Sequence, residues 1–185
     1  TRLLRKPGTK MVLQPSDRVQ TGKDTSVKIK IRGKPELIEL YSRSFFRMGK
    51  ITRETSSVSL LTGLVRLTVK GKPKKKTKKA RFQLRTVTAV VGVRGSIVMV
   101  GANSIKTDTV TIKGLSEVYL TSKIFKDICG KCLVEIPEGK GSRVQQGFTP
   151  SLKEFSPKVL QQMMNSKSPN ELGKYPMGKP VDANE

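Results

Sequence analysis

The sequence contains no histidine, no tryptophan and only 14 acidic residues among 185. Without histidine there is no Ser-His or Cys-His nucleophile and no His-ligated metal site. No apolar stretch reaches the roughly 18 residues of a membrane-spanning helix. The scattered Asp and Glu residues show no spacing typical of a catalytic pair. The sequence therefore indicates no enzyme, no metal site and no cofactor, and it names no substrate.

Basic residues are abundant by contrast, and 37 Lys and Arg give a formal net charge of +23. A charge of this size and sign favours an anionic partner, such as a nucleic acid, a lipid headgroup or an acidic polymer. Aromatic residues make up only 5% of the chain, whereas sites for single-stranded nucleic acid combine basic residues with stacking aromatics. Nucleic acid is therefore the less favoured partner.

Cys129 and Cys132 are the two cysteines of the chain and have CxxC spacing. A zinc site is excluded, because zinc needs about four N or S ligands and there is neither a second cysteine pair nor a histidine. The apolar run after them is typical of a strand, whereas a thioredoxin-like dithiol precedes a helix. We favour a structural disulfide between Cys129 and Cys132, with free thiols and redox chemistry as the alternatives.

Apolar and polar residues alternate along most of the chain, as at Val27–Ile31, Val65–Val69 and Val110–Ile112. This alternation has the two-residue period of a half-buried strand. About eight to ten such segments, separated by frequent turn residues, indicate an all-β domain. We predict a multi-stranded sandwich, a jelly-roll-like fold or a short β-helix. Lys, Arg and Thr occupy the polar positions, so much of the charge is predicted to lie on the outer faces of the sheets.

The two ends of the chain differ from this central region. Three segments are predicted, namely an N-terminal arm at 1–11, the β domain at 12–148 and a C-terminal extension at 149–185. Ser156 and Pro157 form a typical helix start, and the apolar residues that follow recur on one helical face. We therefore expect one short helix near 157–165, followed by a loose tail rich in Pro and Gly.

Residues 70–81 lie between two strand patterns, and eight of the twelve are basic. Like charges at this density repel one another, which predicts a long loop rather than a packed element. Three interpretations are open for this loop. It is a solvated loop with no binding function, a contact for an anionic surface, or a contact for a nucleic acid. Its candidate contact residues are Lys70, Lys72, Lys74, Lys75, Lys76, Lys78, Lys79 and Arg81.

The stretch Thr86-Val87-Thr88-Ala89-Val90-Val91-Gly92-Val93-Arg94-Gly95-Ser96 resembles the signature of the FecR domain family. The flanking sequence is also similar, with an opening turn at Pro15-Ser16-Asp17 and a strand–Gly–strand unit around Gly114. The resemblance covers about residues 12–148. Ser16 stands where the family usually has Gly, and Ser96 stands where it more often has Thr. The basic loop and the cysteine pair are not family features.

This resemblance implies a non-catalytic all-β domain of the bacterial envelope, periplasmic or secreted. The best-known members signal through an anti-sigma segment and a membrane helix, neither of which is present in this sequence. What the resemblance implies is a binding, sensing or scaffolding module. Its expected partner is an anionic envelope polymer, lipid headgroups or an envelope protein, contacted through basic surfaces. The alternative is a basic β-domain that binds nucleic acid.

Within the motif, Gly92 and Gly95 flank Arg94. Glycines at this spacing allow positive φ or close backbone approach, which indicates a tight corner between two strands. Arg94 is expected to fix this corner by binding carbonyls or a carboxylate, with Asp17 and Glu117 as the candidate acids. A ligand-binding Arg94 is the alternative. We therefore assign Gly92, Arg94, Gly95 and Asp17 a structural role.

Overall fold

The computed structural model describes residues 10–70, 81–120, 133–145 and 151–156, together with positions 158 and 161. The predicted all-β class is confirmed, because these ranges consist mainly of strands. The strands are β1 (Arg18–Gln20), β2 (Val27–Lys30), β3 (Glu36–Leu40), β4 (Phe45–Ile51), β5 (Ser56–Val69), β6 (Phe82–Arg85), β7 (Ala89–Val93), β8 (Ile97–Ala102), β9 (Lys106–Lys113), β10 (Leu115–Leu120), β11 (Leu133–Pro137), β12 (Lys140–Gln145) and β13 (Ser151–Glu154).

The strands form two sheets that share β5. Sheet A has the order β1-β4-β5-β6-β7-β10-β11, and sheet B has the order β2-β3-β5-β8-β9-β12-β13. Pairing is antiparallel except between β5 and β6, which run parallel. Phe46 and Phe82 from sheet A and Ile38 and Leu67 from sheet B are fully buried in one core. The architecture is therefore sandwich-like, with apolar alternate residues facing inward.

The long strand β5 belongs to both sheets. Its first half pairs with β4 and β6 in sheet A, and its second half pairs with β3 and β8 in sheet B. Gly63 lies where the pairing changes and has a φ of 104°. A Cβ at this position would overlap the Cα of Ser44. Glycine alone satisfies both conditions, so Gly63 lets the strand bend from one sheet into the other.

The strands change sheet seven times, once between β5 and β6, and the other six crossings lie within the described residues and each have a residue with positive φ. These residues are Asp24 between β1 and β2, Arg43 between β3 and β4, Gly63 within β5, Gly95 between β7 and β8, Gly114 between β9 and β10, and Gly139 between β11 and β12. The left-handed conformation turns the chain sharply over one residue. Four of these six crossings therefore have a glycine, the residue that adopts positive φ without a steric penalty.

Several predicted features fall outside the described residues. They are most of the arm at 1–11, the loop interior at 71–80, Cys129 with Cys132, and most of the helix near 157–165, of which positions 158 and 161 are helical. Strand β13 pairs with β12 after residue 148, where the predicted β domain ends. The division into arm, domain and extension stays a prediction. No helix within the described ranges is long and apolar enough to cross a bilayer.

Candidate functional site

The motif residues form the corner at which the chain leaves β7 of sheet A for β8 of sheet B. Gly95 has a φ of 64°, as expected of a motif glycine. Gly92 does not have positive φ but lies within β7, paired with Gln83 of β6 and with Glu117 of β10. Gly92 is therefore the direct cross-strand neighbour of Glu117.

Arg94 binds Glu117, one of the two candidate acids. Its Nη2 lies 2.8 Å from Oε1 of Glu117, whose side chain is only 5% exposed. Tyr119 donates a hydrogen bond to the other carboxylate oxygen at 2.5 Å. Burial, followed by the bond to Glu117, raises the pKa of Tyr119 to about 12. These three side chains form a closed polar cluster, which fits a scaffold clamp better than a free ligand site.

Asp17, the other candidate acid, forms hydrogen bonds in the opening turn around Pro15 and Ser16. Its Oδ2 accepts a hydrogen bond from the Gln14 amide at 2.7 Å, and its carbonyl accepts one from the Met48 amide at 2.8 Å. The preceding residue, Ser16, has a φ of 75° at the position where the resemblance leads us to expect Gly. Asp17 therefore holds the opening turn against β4 and does not pair with Arg94.

Ser96 ties the motif corner to the next crossing. Its hydroxyl donates to the Leu115 carbonyl at 2.5 Å and accepts from the Leu115 amide at 3.0 Å. A Cβ on the neighbouring Gly114 would lie only 2.9 Å from the same hydroxyl oxygen. The crossings at Gly95 and Gly114 therefore pack against each other, and glycine is needed at 114, where φ is 85°.

Away from the motif, three arginines lie side by side across the outer face of sheet A. Arg18 is paired with Arg47, Arg47 with Ser59, and Ser59 with Arg85. Residues paired in this way point to the same side of a sheet, and neighbouring strands are about 4.8 Å apart. We call Arg18, Arg47 and Arg85 the arginine row. Within the described ranges, no carboxylate forms a salt bridge with any of them.

Two shallow depressions adjoin the arginine row, and both include Arg47 and Ser59. One has a volume of about 290 Å³ and is also lined by Arg85, Leu61 and Val87. The other, of about 370 Å³, extends toward Ser16 and Lys50. Leu61 and Val87 are 43% and 51% exposed. This face therefore offers guanidinium groups, a hydroxyl and apolar surface within one small area.

On the outer face of sheet B, Arg66 and Arg143 form salt bridges with carboxylates of the same face. Glu39 Oε2 lies 2.6 Å from Nε of Arg66, and Glu39 Oε1 lies 3.4 Å from Nζ of Lys28. Asp108 lies 2.6 Å from Nε of Arg143. Burial by itself would raise the pKa of Glu39, but the hydrogen bond and charge of Arg66, together with Lys28, outweigh it. The pKa of Glu39 therefore lies below its ordinary value.

A second apolar cluster is buried on the same face of sheet B. Its buried members are Tyr41, Met99, Val110, Ile112 and Phe155. The Phe155 amide donates to the Gly139 carbonyl at 3.0 Å, and a Cβ on Gly141 would overlap the Phe155 ring. The packing of Phe155 therefore covers part of this face of sheet B.

Of the predicted contact residues in the basic loop, only Lys70 and Arg81 are described, and Lys70 is exposed. Lys72, Lys74, Lys75, Lys76, Lys78 and Lys79 lie outside the described residues, as do Cys129 and Cys132. The arginine row was not predicted, although Arg47 and Arg85 each adjoin buried residues in an alternating strand. That alternation places them on an outer face, but only the strand register aligns them.

Comparison with known proteins gives one family and one group of solved structures. The family model described as FecR protein matches residues 17–115, which is 99 of the 185 residues.

Two crystal structures of a proposed anti-sigma factor from Parabacteroides distasonis ATCC 8503 are similar, each with a TM-score of 0.61, at 13% and 14% sequence identity. The match covers 80% of this chain but only 64% of that protein, so this chain spans less than two thirds of its length. At these identities the likeness shows the fold alone. Among curated proteins, none matches the chain.

Proposed function

Since the chain belongs to the FecR protein family, we propose that it is a non-catalytic module of the bacterial envelope, periplasmic or secreted, that binds, senses or scaffolds. Its partner is an anionic envelope polymer, a lipid headgroup surface or an envelope protein, which it contacts through basic surfaces. The family is regulatory, and the similar solved structures are of a proposed anti-sigma factor. Both findings support a sensing role with a protein partner.

The charge on the outer face of sheet A is the main support for an anionic partner. The arginine row has no carboxylate in salt-bridge contact among the described residues, and Lys50 adds a further cation beside Arg47. An uncompensated basic surface raises the local concentration of anions and speeds their association. We include Lys70 to Arg81 in this surface as a proposed contact, because the segment adds the densest positive charge in the sequence.

The positions of the acidic residues support a non-catalytic role. A general acid or base must reach a proton of the substrate. Glu39, Asp108 and Glu117 instead each bind an arginine and are largely withdrawn from solvent. We assign Gly92, Arg94, Gly95 and Asp17 to the scaffold, and we retain a Cys129–Cys132 disulfide as a proposal.

Binding to fractionated envelope material tests this function. The 185-residue chain is incubated with cell-envelope fractions and, separately, with duplex DNA, over a series of salt concentrations. We expect retention on the envelope fraction that weakens as salt screens the charges, and a weaker interaction with DNA near about 0.15 M salt. A variant with Lys72, Lys74, Lys75, Lys76, Lys78 and Lys79 replaced by Gln should bind the envelope fraction less well. Tight DNA binding without envelope binding would overturn the proposal in favour of a nucleic-acid-binding domain.

A further inference from the structure

We propose that the arginine row of sheet A is the docking site for an acidic segment of a partner protein. This inference rests on the proposed function and narrows its partner to one class. The bound segment lies across β4, β5 and β6, and its carboxylates bind Arg47 and Arg85. Its apolar side chains pack on Leu61 and Val87.

The uncompensated charge of the arginine row favours an acidic partner. Like charges placed side by side on neighbouring strands destabilise a sheet, and Arg18 and Arg47 are direct cross-strand partners. On sheet B, the chain places Glu39 and Asp108 against its arginines. It places no such acid against the arginine row among the described residues. An incoming carboxylate would supply the missing counter-charge.

The spacing of Arg47 and Arg85 matches the spacing of acidic residues in an extended peptide. Arg47 and Arg85 are separated by two strand spacings, with Ser59 between them, which places their Cα atoms about 9.6 Å apart. In a peptide with polyproline II conformation, residues i and i+3 lie on the same side and about 9.3 Å apart. Acidic residues three positions apart would therefore face Arg47 and Arg85 together. The planar guanidinium group also matches a carboxylate with two parallel hydrogen bonds.

Apolar surface lies beside the charges of Arg47 and Arg85. Leu61 and Val87 line the same depression as Arg47 and Arg85, and both are about half exposed. A peptide offers aliphatic side chains next to its carboxylates, whereas a phosphate polymer offers none. Large apolar residues beside arginine are also typical of protein interfaces. The combination favours an acidic protein segment over a phosphate polymer.

The test uses a fluorescein-labelled peptide of sequence Gly-Glu-Leu-Ser-Glu-Leu-Gly, in which the two acids are three positions apart. A second peptide has Gln in place of both Glu residues. Affinity is measured by fluorescence polarisation with the 185-residue chain. The R47Q/R85Q double variant removes the central pair of charges. The K30Q/K113Q double variant is the matched control, because it removes the same net charge from exposed positions of sheet B.

We expect the wild-type chain to bind the acidic peptide at least about tenfold more tightly than the Gln peptide. R47Q/R85Q should lose at least about tenfold in affinity, whereas K30Q/K113Q should lose less than about twofold. Circular dichroism and melting curves check that both variants fold. Equal losses in the two variants would overturn the inference, since net charge alone would then explain binding. No preference for the acidic peptide would overturn it as well.

Two further measurements separate this inference from its alternatives. Vesicles containing phosphatidylglycerol, and duplex DNA, are tested with the same variants. If either binds more tightly than the peptide and depends on Arg47 and Arg85, the acidic segment is the wrong partner class. If the envelope fraction binds wild-type and R47Q/R85Q chains equally, the arginine row fails while the proposed function stands. If the envelope fraction does not bind the wild-type chain, the proposed function itself fails.

Discussion

Arg66 and Arg143 on the outer face of sheet B differ from the arginine row of sheet A in whether they have acidic partners. On sheet B, Arg66 and Arg143 each bind a carboxylate of the same face. On sheet A, the arginine row has no such partner among the described residues, and the acid nearest the motif is held by Arg94. The net charge of +23 is therefore unevenly neutralised. Arg66 and Arg143 stabilise sheet B through their carboxylates, whereas the arginine row of sheet A has no acidic partner among the described residues.

The largest loss of stability is expected when β5, the strand that both sheets share, is disturbed at Gly63. Gly63→Ala should lower the free energy of unfolding by at least about 3 kcal/mol, because the new methyl group meets the Ser44 backbone and φ is positive. Gly33→Ala is the matched control, since Gly33 also has positive φ but nothing within 4 Å of a Cβ. It should cost about 1 kcal/mol. Urea unfolding measures both, and equal losses would contradict the sheet-switching role of Gly63.

A second test separates the two kinds of arginine on sheet A. Arg94→Ala should lower the free energy of unfolding by about 3 kcal/mol, because it leaves the buried Glu117 carboxylate without its cation. Arg85→Ala, on the same face, should change it by less than about 0.5 kcal/mol. Thermal melting of both variants is the measurement. An unchanged melting temperature for Arg94→Ala would rule out the scaffold role.

A third test concerns the acid that neutralises sheet B. Glu39→Gln should cost about 2 kcal/mol at neutral pH, because Arg66 and Lys28 lose their carboxylate. The pKa of Glu39 is lower in the folded chain than its ordinary value of 4.5. Its contribution is therefore complete above that ordinary value and is lost as pH falls through the folded pKa.

Unfolding of the wild type and of Glu39→Gln at several pH values checks this sign. The difference between the two should be constant at neutral pH and should shrink in acid, below about pH 4.5. A gap that persists unchanged to low pH would mean that the glutamate acts through packing rather than through its charge.

Removing two charges of the arginine row should have the smallest effect on the free energy of unfolding. R47Q/R85Q should leave the free energy of unfolding within about 0.5 kcal/mol of wild type, because exposed arginines without an acidic partner contribute little to the fold. A slight gain would reflect relief of repulsion between neighbouring cations. A loss above about 1 kcal/mol in urea unfolding would show that sheet A depends on these residues as sheet B depends on Arg66.

Local patterns in the sequence predicted the strands and part of the motif corner. Alternation of apolar and polar residues is a property of each strand alone, so it could be read without knowledge of the partners. The spacing of the glycines predicted a tight corner, which Gly95 makes with positive φ. The small number of acids left Asp17 and Glu117 as candidate partners of Arg94, and Glu117 is the one that binds it. These features depend on residues that are close in sequence or chemically scarce.

Features that depend on register could not be predicted in this way. The alternation at Val65–Val69 indicates a strand, but it does not show that β5 continues through Gly63 into a second sheet. The arginine row joins positions 18, 47 and 85, which are distant in sequence and meet only because β4 and β6 flank β5. A shift of one residue in either pairing would turn an arginine toward the core.

The seven crossings also govern how the chain reaches this structure. Because the chain alternates between the sheets, neither sheet corresponds to a continuous piece of sequence. Sheet A needs both β1 and β11, and sheet B needs both β2 and β13, before its edge strands are in place. Contacts of such long sequence separation slow folding. We expect the module to fold in one late, all-or-none step, with no half of the chain able to fold as a separable unit.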